Sequence, residues 1–154
     1  MKYYCLFAPL LCLITTQTNA DQDMSGVSQY IYGDCILSAG NHYQISPDLI
    51  TAIIKTESNH QPDAININTS GSEDVGLMQI NSEWLPRIQK FGYNRSRLFD
   101  PCTNITIGTW ILAQEVQRFG YSWNAVGAYN AGPSKDKALR RASYANRVYN
   151  NLPH

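Results

Sequence analysis

Glu57 lies at a position where a carboxyl group is unusual, at the end of an apolar helical stripe. Leu49, Ile50, Ile53 and Ile54 have the spacing of one buried helix face. Glu57 is the next position on that face, three residues after Ile54. Burial and the negative end of the helix dipole both disfavour the charged form of a carboxyl group there. The pattern therefore predicts a general acid that is protonated near neutral pH, as glycosidic bond cleavage requires.

Asp74 is a second candidate carboxylate, 17 residues after Glu57. It lies in a mostly polar stretch, 59–75, that predicts a long loop or a small β-hairpin, and long loops are often functional. A separation of about 5–9 Å between the two carboxylates would allow two-carboxylate glycosidase chemistry. We expect Asp74 to support the positive charge of the transition state. The alternatives are a Glu57 that turns out to solvent or pairs with Lys55, and an Asp74 that is solvated like its neighbour Glu73.

The elements that position these residues are predicted to be helices. Ser46 is a good N-cap and Pro47 fits the first helical position, so the helix that carries Glu57 starts here. The sequence predicts a mostly α (α+β) fold of about six helices, with a loop or β-hairpin insert around residues 60–75. The other helices are expected near 34–43, 79–84, 104–119, 123–130 and 135–150.

Four motifs in the chain resemble those of the soluble-lytic-transglycosylase domain family, which has a lysozyme-like fold. They are Glu57-Ser58, the Gly-Leu-Met-Gln-Ile-Asn run at 76–81, the Ala-Tyr-Asn-Ala-Gly run at 128–132, and Tyr-x-x-x-Val at 144–148. Their order and spacing match the family from about residue 34 to residue 149. Each motif alone would be a weak signal.

The resemblance implies a peptidoglycan lytic transglycosylase. Glu57 would protonate the β-1,4 glycosidic oxygen between N-acetylmuramic acid and N-acetylglucosamine. It would then accept the proton of the muramoyl C6 hydroxyl, which closes a 1,6-anhydro ring. Many family members have no carboxylate where Asp74 stands, whereas lysozymes of the hen-egg type use a second carboxylate on a β-hairpin. A hydrolytic muramidase that uses Glu57 and Asp74 is therefore an alternative, and so is a non-catalytic glycan-binding scaffold.

The resemblance also assigns substrate-binding residues on the matching motifs. Gly76 would let the backbone approach a sugar, although it could be an ordinary turn glycine. Met78 could equally fill the core, and a helical tyrosine such as Tyr144 is often a core residue. Gln79 offers the donor and the acceptor that acetamido groups need. The full predicted set is Ser58, Gly76, Met78, Gln79, Asn81, Tyr129, Asn130 and Tyr144.

The first 20 residues are typical of a secretory signal peptide. Lys2 precedes an apolar run from Cys5 to Ile14, and a polar stretch ends at Ala20. We expect cleavage after Ala20, a single domain over 21–154, a periplasmic location and no stable membrane insertion after cleavage. An uncleaved anchor or a buried helix is the alternative. The run is shorter than the ~20 residues that span a bilayer.

The balance of charged residues limits the classes of binding partner. Residues 21–154 carry 11 Lys and Arg against 12 Asp and Glu, and this balance argues against a binder of nucleic acid or of anionic membranes. Peptidoglycan glycan strands are the expected partner. The small size, the predicted signal peptide and the Cys35/Cys102 pair resemble those of compact family members that serve type III and type IV secretion systems and conjugation systems. The resemblance implies such an apparatus as a further partner.

Two cysteines, Cys35 and Cys102, remain after the predicted cleavage. An even number in an exported protein predicts a disulfide between them, with two buried thiols as the alternative. His42, His60 and His154 lack the spacing of metal ligands. We therefore expect neither a metal nor a cofactor.

Overall fold

The structure is a computed structural model that describes residues 32–153. The predicted signal peptide and its cleavage site after Ala20 lie outside these residues. The described chain is a mostly helical, lysozyme-like domain of six helices and a three-stranded antiparallel sheet, as the sequence predicts. Its elements are α1 (Gly33–Tyr43), α2 (Pro47–Ser58), β1 (Ile65–Ile67), β2 (Glu73–Val75), β3 (Ile80–Asn81), α3 (Leu85–Ile88), α4 (Pro101–Phe119), α5 (Trp123–Ala131) and α6 (Ala138–Tyr149).

Helix α2 is the predicted carrier of the acid, and it starts at Pro47. Ser46 takes the N-cap position, but its side chain makes no capping hydrogen bond. Its backbone N–H donates instead to the hydroxyl oxygen of Tyr121. The helix ends at Ser58, and its C-cap residue Asn59 has a left-handed backbone and donates its N–H to the carbonyl of Lys55. The apolar stripe of α2 is buried throughout, with Ile50, Ile53 and Ile54 fully inaccessible.

Helix α4 crosses the middle of the domain, between two apolar clusters. One cluster contains the α2 stripe and the other packs beneath the sheet. The helix begins three residues earlier than the sequence predicts. Asp100 explains the difference, because its carboxylate accepts the backbone N–H of Thr103 and Pro101 occupies the first helical position.

The insert is a β-hairpin extended by a third strand, in the order β1-β2-β3. Asp74 lies at its centre, paired with Asn66 on one side and Asn81 on the other. The helix predicted to open near residues 79–84 therefore starts later, and it continues as α3 (Leu85–Ile88). Gln79 has a left-handed backbone (φ 47°) and the next two residues pair with β2. A 3₁₀ turn begins only at Ser82, where the Asn81 side chain accepts the N–H of Glu83.

The predicted disulfide is present and joins α1 to α4. Cys35 and Cys102 are 67 residues apart in sequence, and their Cα atoms are 5.1 Å apart. The last helix begins at Ala138 rather than at Lys135, because residues Lys135–Lys137 form a 3₁₀ turn. Within residues 32–153, no helix has the length and apolar character needed to cross a membrane.

Candidate active site

A cleft of about 750 Å³ runs between the sheet and helices α2, α4 and α5. Each of these elements presents polar side chains to it, and Ile80, Trp84 and Ile111 supply apolar surface. The cleft is lined by six of the predicted site residues: Glu57, Asp74, Gln79, Asn81, Tyr129 and Asn130.

Glu57 lies in the wall of the cleft at the last turn of α2. Its pKa is raised from 4.5 to about 7. Removal from water is the largest cause, and the negative charge of Asp74 raises the pKa further. Hydrogen bonding from Tyr144, the charge of Arg147 and hydrogen bonding from Asn130 oppose the rise. At neutral pH, Glu57 can therefore both give up and accept a proton.

Tyr144, on α6, fixes the position of that carboxyl group. Its hydroxyl donates to Oε1 of Glu57 at 2.6 Å, and its ring is almost wholly buried at 1% exposure. The guanidinium of Arg147 lies over the ring, 5.3 Å from its centroid. Burial and the nearby charge of Glu57 raise the pKa of Tyr144, so its hydroxyl stays protonated and remains a donor. The hydrogen bond from Tyr144 to Glu57 therefore links α6 to α2.

Asp74, on β2, is held by three side-chain amides. Nδ2 of Asn81 donates to its Oδ1 at 2.7 Å, and Nδ2 of Asn68 donates to its Oδ2 at 3.0 Å. Nδ2 of Asn66 also reaches Oδ2, at 3.3 Å. The register of the sheet explains the arrangement, because Asn66 and Asn81 are the cross-strand partners of Asp74. The carboxylate is thus oriented as an acceptor close enough to Glu57 to influence its pKa.

Gln79 and Tyr129 both donate hydrogen bonds to backbone carbonyls of the cleft wall. Nε2 of Gln79 donates to the carbonyls of Gly76 and Ala64 at 3.0 and 3.2 Å. Within residues 32–153, the side-chain carbonyl oxygen of Gln79 accepts no hydrogen bond. The Tyr129 hydroxyl donates to the carbonyl of Met78 at 2.6 Å. These bonds fix the turn between β2 and β3 against α5.

Ser58, Gly76 and Met78 do not line the cleft formed by the described residues. Ser58 is buried and its hydroxyl donates to the carbonyl of Ile54. Met78 is fully buried and its sulfur packs against Gly108, so it is the core filler that was the alternative to a cleft residue. In the described residues these three positions have packing roles, and their contact with substrate stays a prediction.

Close packing accounts for a glycine at position 76. Its backbone is left-handed (φ 78°), and an added Cβ would lie 2.2 Å from Nδ2 of Asn104. That amide is buried and donates to the carbonyls of Val75 and Leu98 at 2.9 and 2.7 Å. Its Oδ1 accepts the backbone N–H of Met78 at 2.8 Å. One asparagine on α4 thus satisfies the backbone of the turn.

Several residues in or beside the cleft were not predicted from the sequence. Asn66 and Asn68 carry no motif, and only the hairpin register could have placed them beside Asp74. Glu115, Lys137 and Arg140 also line the cleft. They come from α4, from the 3₁₀ turn before α6 and from α6 itself, and nothing in their spacing relates them to Glu57. No group of three or more His, Cys, Asp and Glu side chains in residues 32–153 is arranged to hold a metal ion.

The family model of the transglycosylase SLT domain matches residues 34–151. The invasion protein IagB of Salmonella typhimurium is 42% identical over 121 residues, which are 78% of this chain and 76% of the relative. Protein IpgF of Shigella flexneri is 38% identical over 117 residues, 75% of this chain and 77% of the relative. The X polypeptide of Escherichia coli K12 is 42% identical over 119 residues, 75% and 70% of the two chains.

Solved structures share the fold. An inactive mutant of the lytic transglycosylase Slt from Pseudomonas aeruginosa superposes with a TM-score of 0.64 at 23% identity, over 78% of this chain. The 70 kDa soluble lytic transglycosylase of Escherichia coli gives 0.57 at 28% identity, over 79% of this chain. The match spans only 23% and 19% of those two longer proteins. The chain therefore belongs to the transglycosylase SLT domain family and is an enzyme of the lytic transglycosylase class.

Proposed function

We propose that this enzyme cleaves peptidoglycan glycan strands between N-acetylmuramic acid and N-acetylglucosamine and leaves a 1,6-anhydro end. The observation that carries the proposal is Glu57 in the cleft wall, with a pKa raised to about 7. An acid with that pKa can donate a proton and take one back at neutral pH. Peptidoglycan is the substrate that the family and the amide-rich cleft both favour.

The proposed reaction uses Glu57 twice. Its proton passes to the glycosidic oxygen, the bond from C1 of the muramoyl sugar breaks, and the electron pair leaves with the N-acetylglucosamine oxygen. The C6 oxygen of the muramoyl sugar then bonds to C1, and its proton returns to Glu57. Asp74 lowers the energy of the positive charge at C1 by Coulomb attraction. Tyr144 holds the Glu57 carboxyl group through its 2.6 Å hydrogen bond.

Product analysis tests the proposal. Purified sacculi are digested and the soluble muropeptides are analysed by mass spectrometry. We expect 1,6-anhydromuramoyl ends, which are one water lighter than reducing ends. Reducing ends would contradict the anhydro product. Sacculi that stay intact, with no clearing in a cell-wall gel, would instead support a non-catalytic glycan-binding scaffold.

A hydrolytic muramidase is the second candidate function, and Asp74 is the observation that favours it. Three amides orient its carboxylate in the cleft that Glu57 lines, and a two-carboxylate glycosidase also needs two acids in one cleft. The variant Asp74→Asn keeps the shape and removes the charge. If the wild-type enzyme is a hydrolase, this change should lower the yield of products with reducing ends. In a transglycosylase, it should slow anhydro formation without changing the product type.

We also propose that the enzyme is exported and acts for a secretion apparatus. The predicted signal peptide, with cleavage after Ala20, supports export to the periplasm. A relative named as an invasion protein, 42% identical, supports a role at a type III or type IV secretion system. N-terminal sequencing of the protein from a periplasmic fraction should begin at Asp21. A chain that keeps Met1 and stays with the membrane would contradict this proposal.

A further inference from the structure

A basic segment borders one end of the cleft. Residues 134–141 contain four basic side chains and one acidic side chain. Two of the basic residues, Lys137 and Arg140, line the same cleft as Glu57. A carbon added at Gly132, which also lines the cleft, would lie 3.8 Å from Nζ of Lys137. The ammonium group therefore sits directly against the cleft wall.

The neighbouring Arg141 uses its guanidinium group for hydrogen bonds within the protein. It is buried, and its guanidinium donates to Oδ1 of Asn124 and to the carbonyls of Gly132 and Ser134. These bonds hold the turn between α5 and α6 in place. Arg141 thus fixes the segment that carries Lys137 and Arg140, and is itself inaccessible to a ligand.

Lys137 and Arg140 differ from Arg141 in this respect. Among the ion pairs within 4.0 Å in residues 32–153, none involves either of them. Asp136 lies near both, and their charges lower its pKa, but its carboxylate accepts first from the Ser134 hydroxyl. The other acid of this region, Glu115, faces Arg118 at 3.4 Å. Positive charge is therefore in excess at this end of the cleft.

The uncleaved glycan backbone offers these cations no partner, because its sugars are neutral. The free carboxylates of peptidoglycan are on the stem peptides attached to the lactyl groups of N-acetylmuramic acid. We propose that Lys137 and Arg140 form a subsite for stem-peptide carboxylates, so that the enzyme prefers peptide-bearing strands over peptide-free ones. This inference rests on the proposed function, and it names the substrate form that the cleft selects.

Matched substrates test the preference. Uncross-linked glycan strands are assayed with their stem peptides and after an amidase has removed them. The amidase leaves a carboxylate on each lactyl group, so both substrates are anionic and differ in how far the charge lies from the sugar. We measure kcat/KM for each substrate and report the ratio. The ratio for the wild-type enzyme should favour peptide-bearing strands and should fall as salt is added.

The double variant Lys137→Ala/Arg140→Ala should reduce this ratio about five- to tenfold, the effect of two modest ion pairs. It should also remove the salt dependence of the ratio. Lys135→Ala is the matched control, since Lys135 is an exposed cation of the same segment that does not line the cleft. Its ratio should equal that of the wild type.

Two outcomes would overturn the inference. An unchanged ratio of kcat/KM values in the double variant would show that the two cations do not bind the stem peptide. A ratio that rises would assign them to the lactyl carboxylate instead. Both outcomes leave the proposed function intact, because wild-type cleavage of either strand supports it. A wild-type enzyme that cleaves neither substrate contradicts the proposed function itself.

Discussion

At the scale of single residues, two neighbours move the pKa of Glu57 in opposite directions. The negative charge of Asp74 raises it, and the hydrogen bond from Tyr144 lowers it because that bond favours the ionised carboxylate. Since the proposed reaction begins with a protonated Glu57, the rate should fall as the pH rises through about 7. The two neighbours should therefore shift this decline in opposite directions.

A pH–rate profile of kcat/KM on glycan strands measures that shift. Asp74→Asn should move the decline to lower pH, and Tyr144→Phe should move it to higher pH. A purely structural effect of either variant would lower the rate at every pH without moving the decline. Profiles that coincide with the wild type after scaling would therefore contradict the electrostatic account.

The raised pKa of Glu57 also implies a stability effect. Its pKa is about 7 in the folded protein and near 4.5 in the unfolded chain. The free energy of unfolding should therefore decrease as pH rises from about 4.5 to 7. Glu57→Gln removes the ionisation, so this variant should be more stable than the wild type at pH 8, by on the order of 1–3 kcal/mol. Urea unfolding at pH 8 and pH 4 measures the difference, which should nearly vanish at the lower pH.

Residue-level prediction from the sequence succeeded where a local rule applies. Glu57 stands out because it continues a buried stripe, and that rule needs only the helical repeat. Asn66 and Asn68 could not be found this way, because their contact with Asp74 depends on strand register. Met78 was ambiguous for a different reason: burial by α4 is a tertiary fact that the sequence does not contain.

At the scale of elements, the turn between β2 and β3 depends on Gly76. Gly76→Ala would combine a left-handed backbone with a Cβ 2.2 Å from Asn104. We expect it to lower the free energy of unfolding by about 3 kcal/mol or more. Gly71→Ala is the matched control, because Gly71 has a similar φ of 85° but nothing within 4 Å of the added carbon. It should cost only about 1–2 kcal/mol.

Denaturant unfolding of the two variants provides the comparison. Equal losses would mean that backbone strain alone acts at Gly76 and that its packing against Asn104 is unimportant. The same turn explains why the helix predicted to open near residues 79–84 starts only at Ser82. Ile80 and Asn81 pair with β2, and pairing between strands is decided by long-range contacts that outweigh local helical propensity.

At the scale of the whole molecule, the disulfide ties α1 to α4 across 67 residues of sequence. In the chain-entropy model, a loop of that length stabilises the fold by about 4 kcal/mol. Cys35→Ser/Cys102→Ser should therefore lower the free energy of unfolding by roughly 2–4 kcal/mol. Calorimetry with and without reductant measures the loss, and the double variant should no longer respond to reductant. An unchanged melting temperature would contradict this role.

The overall architecture followed from the sequence because its helices are amphipathic and clearly bounded. Pro47 and Gly120 mark helix ends by local rules. The shape of the cleft did not follow, since it depends on how the sheet and α5 face each other. Lys137 and Arg140 reach the cleft only through the packing of the last helix.

The most direct test of the central claim compares Glu57→Gln with the wild-type enzyme on purified sacculi. The variant keeps the size of the side chain and removes its proton, and circular dichroism verifies that it folds. We expect release of soluble muropeptides to fall by at least 10²–10⁴-fold, the usual contribution of a general acid. Release at the wild-type rate by a folded Glu57→Gln protein would contradict the assignment of Glu57 as the acid.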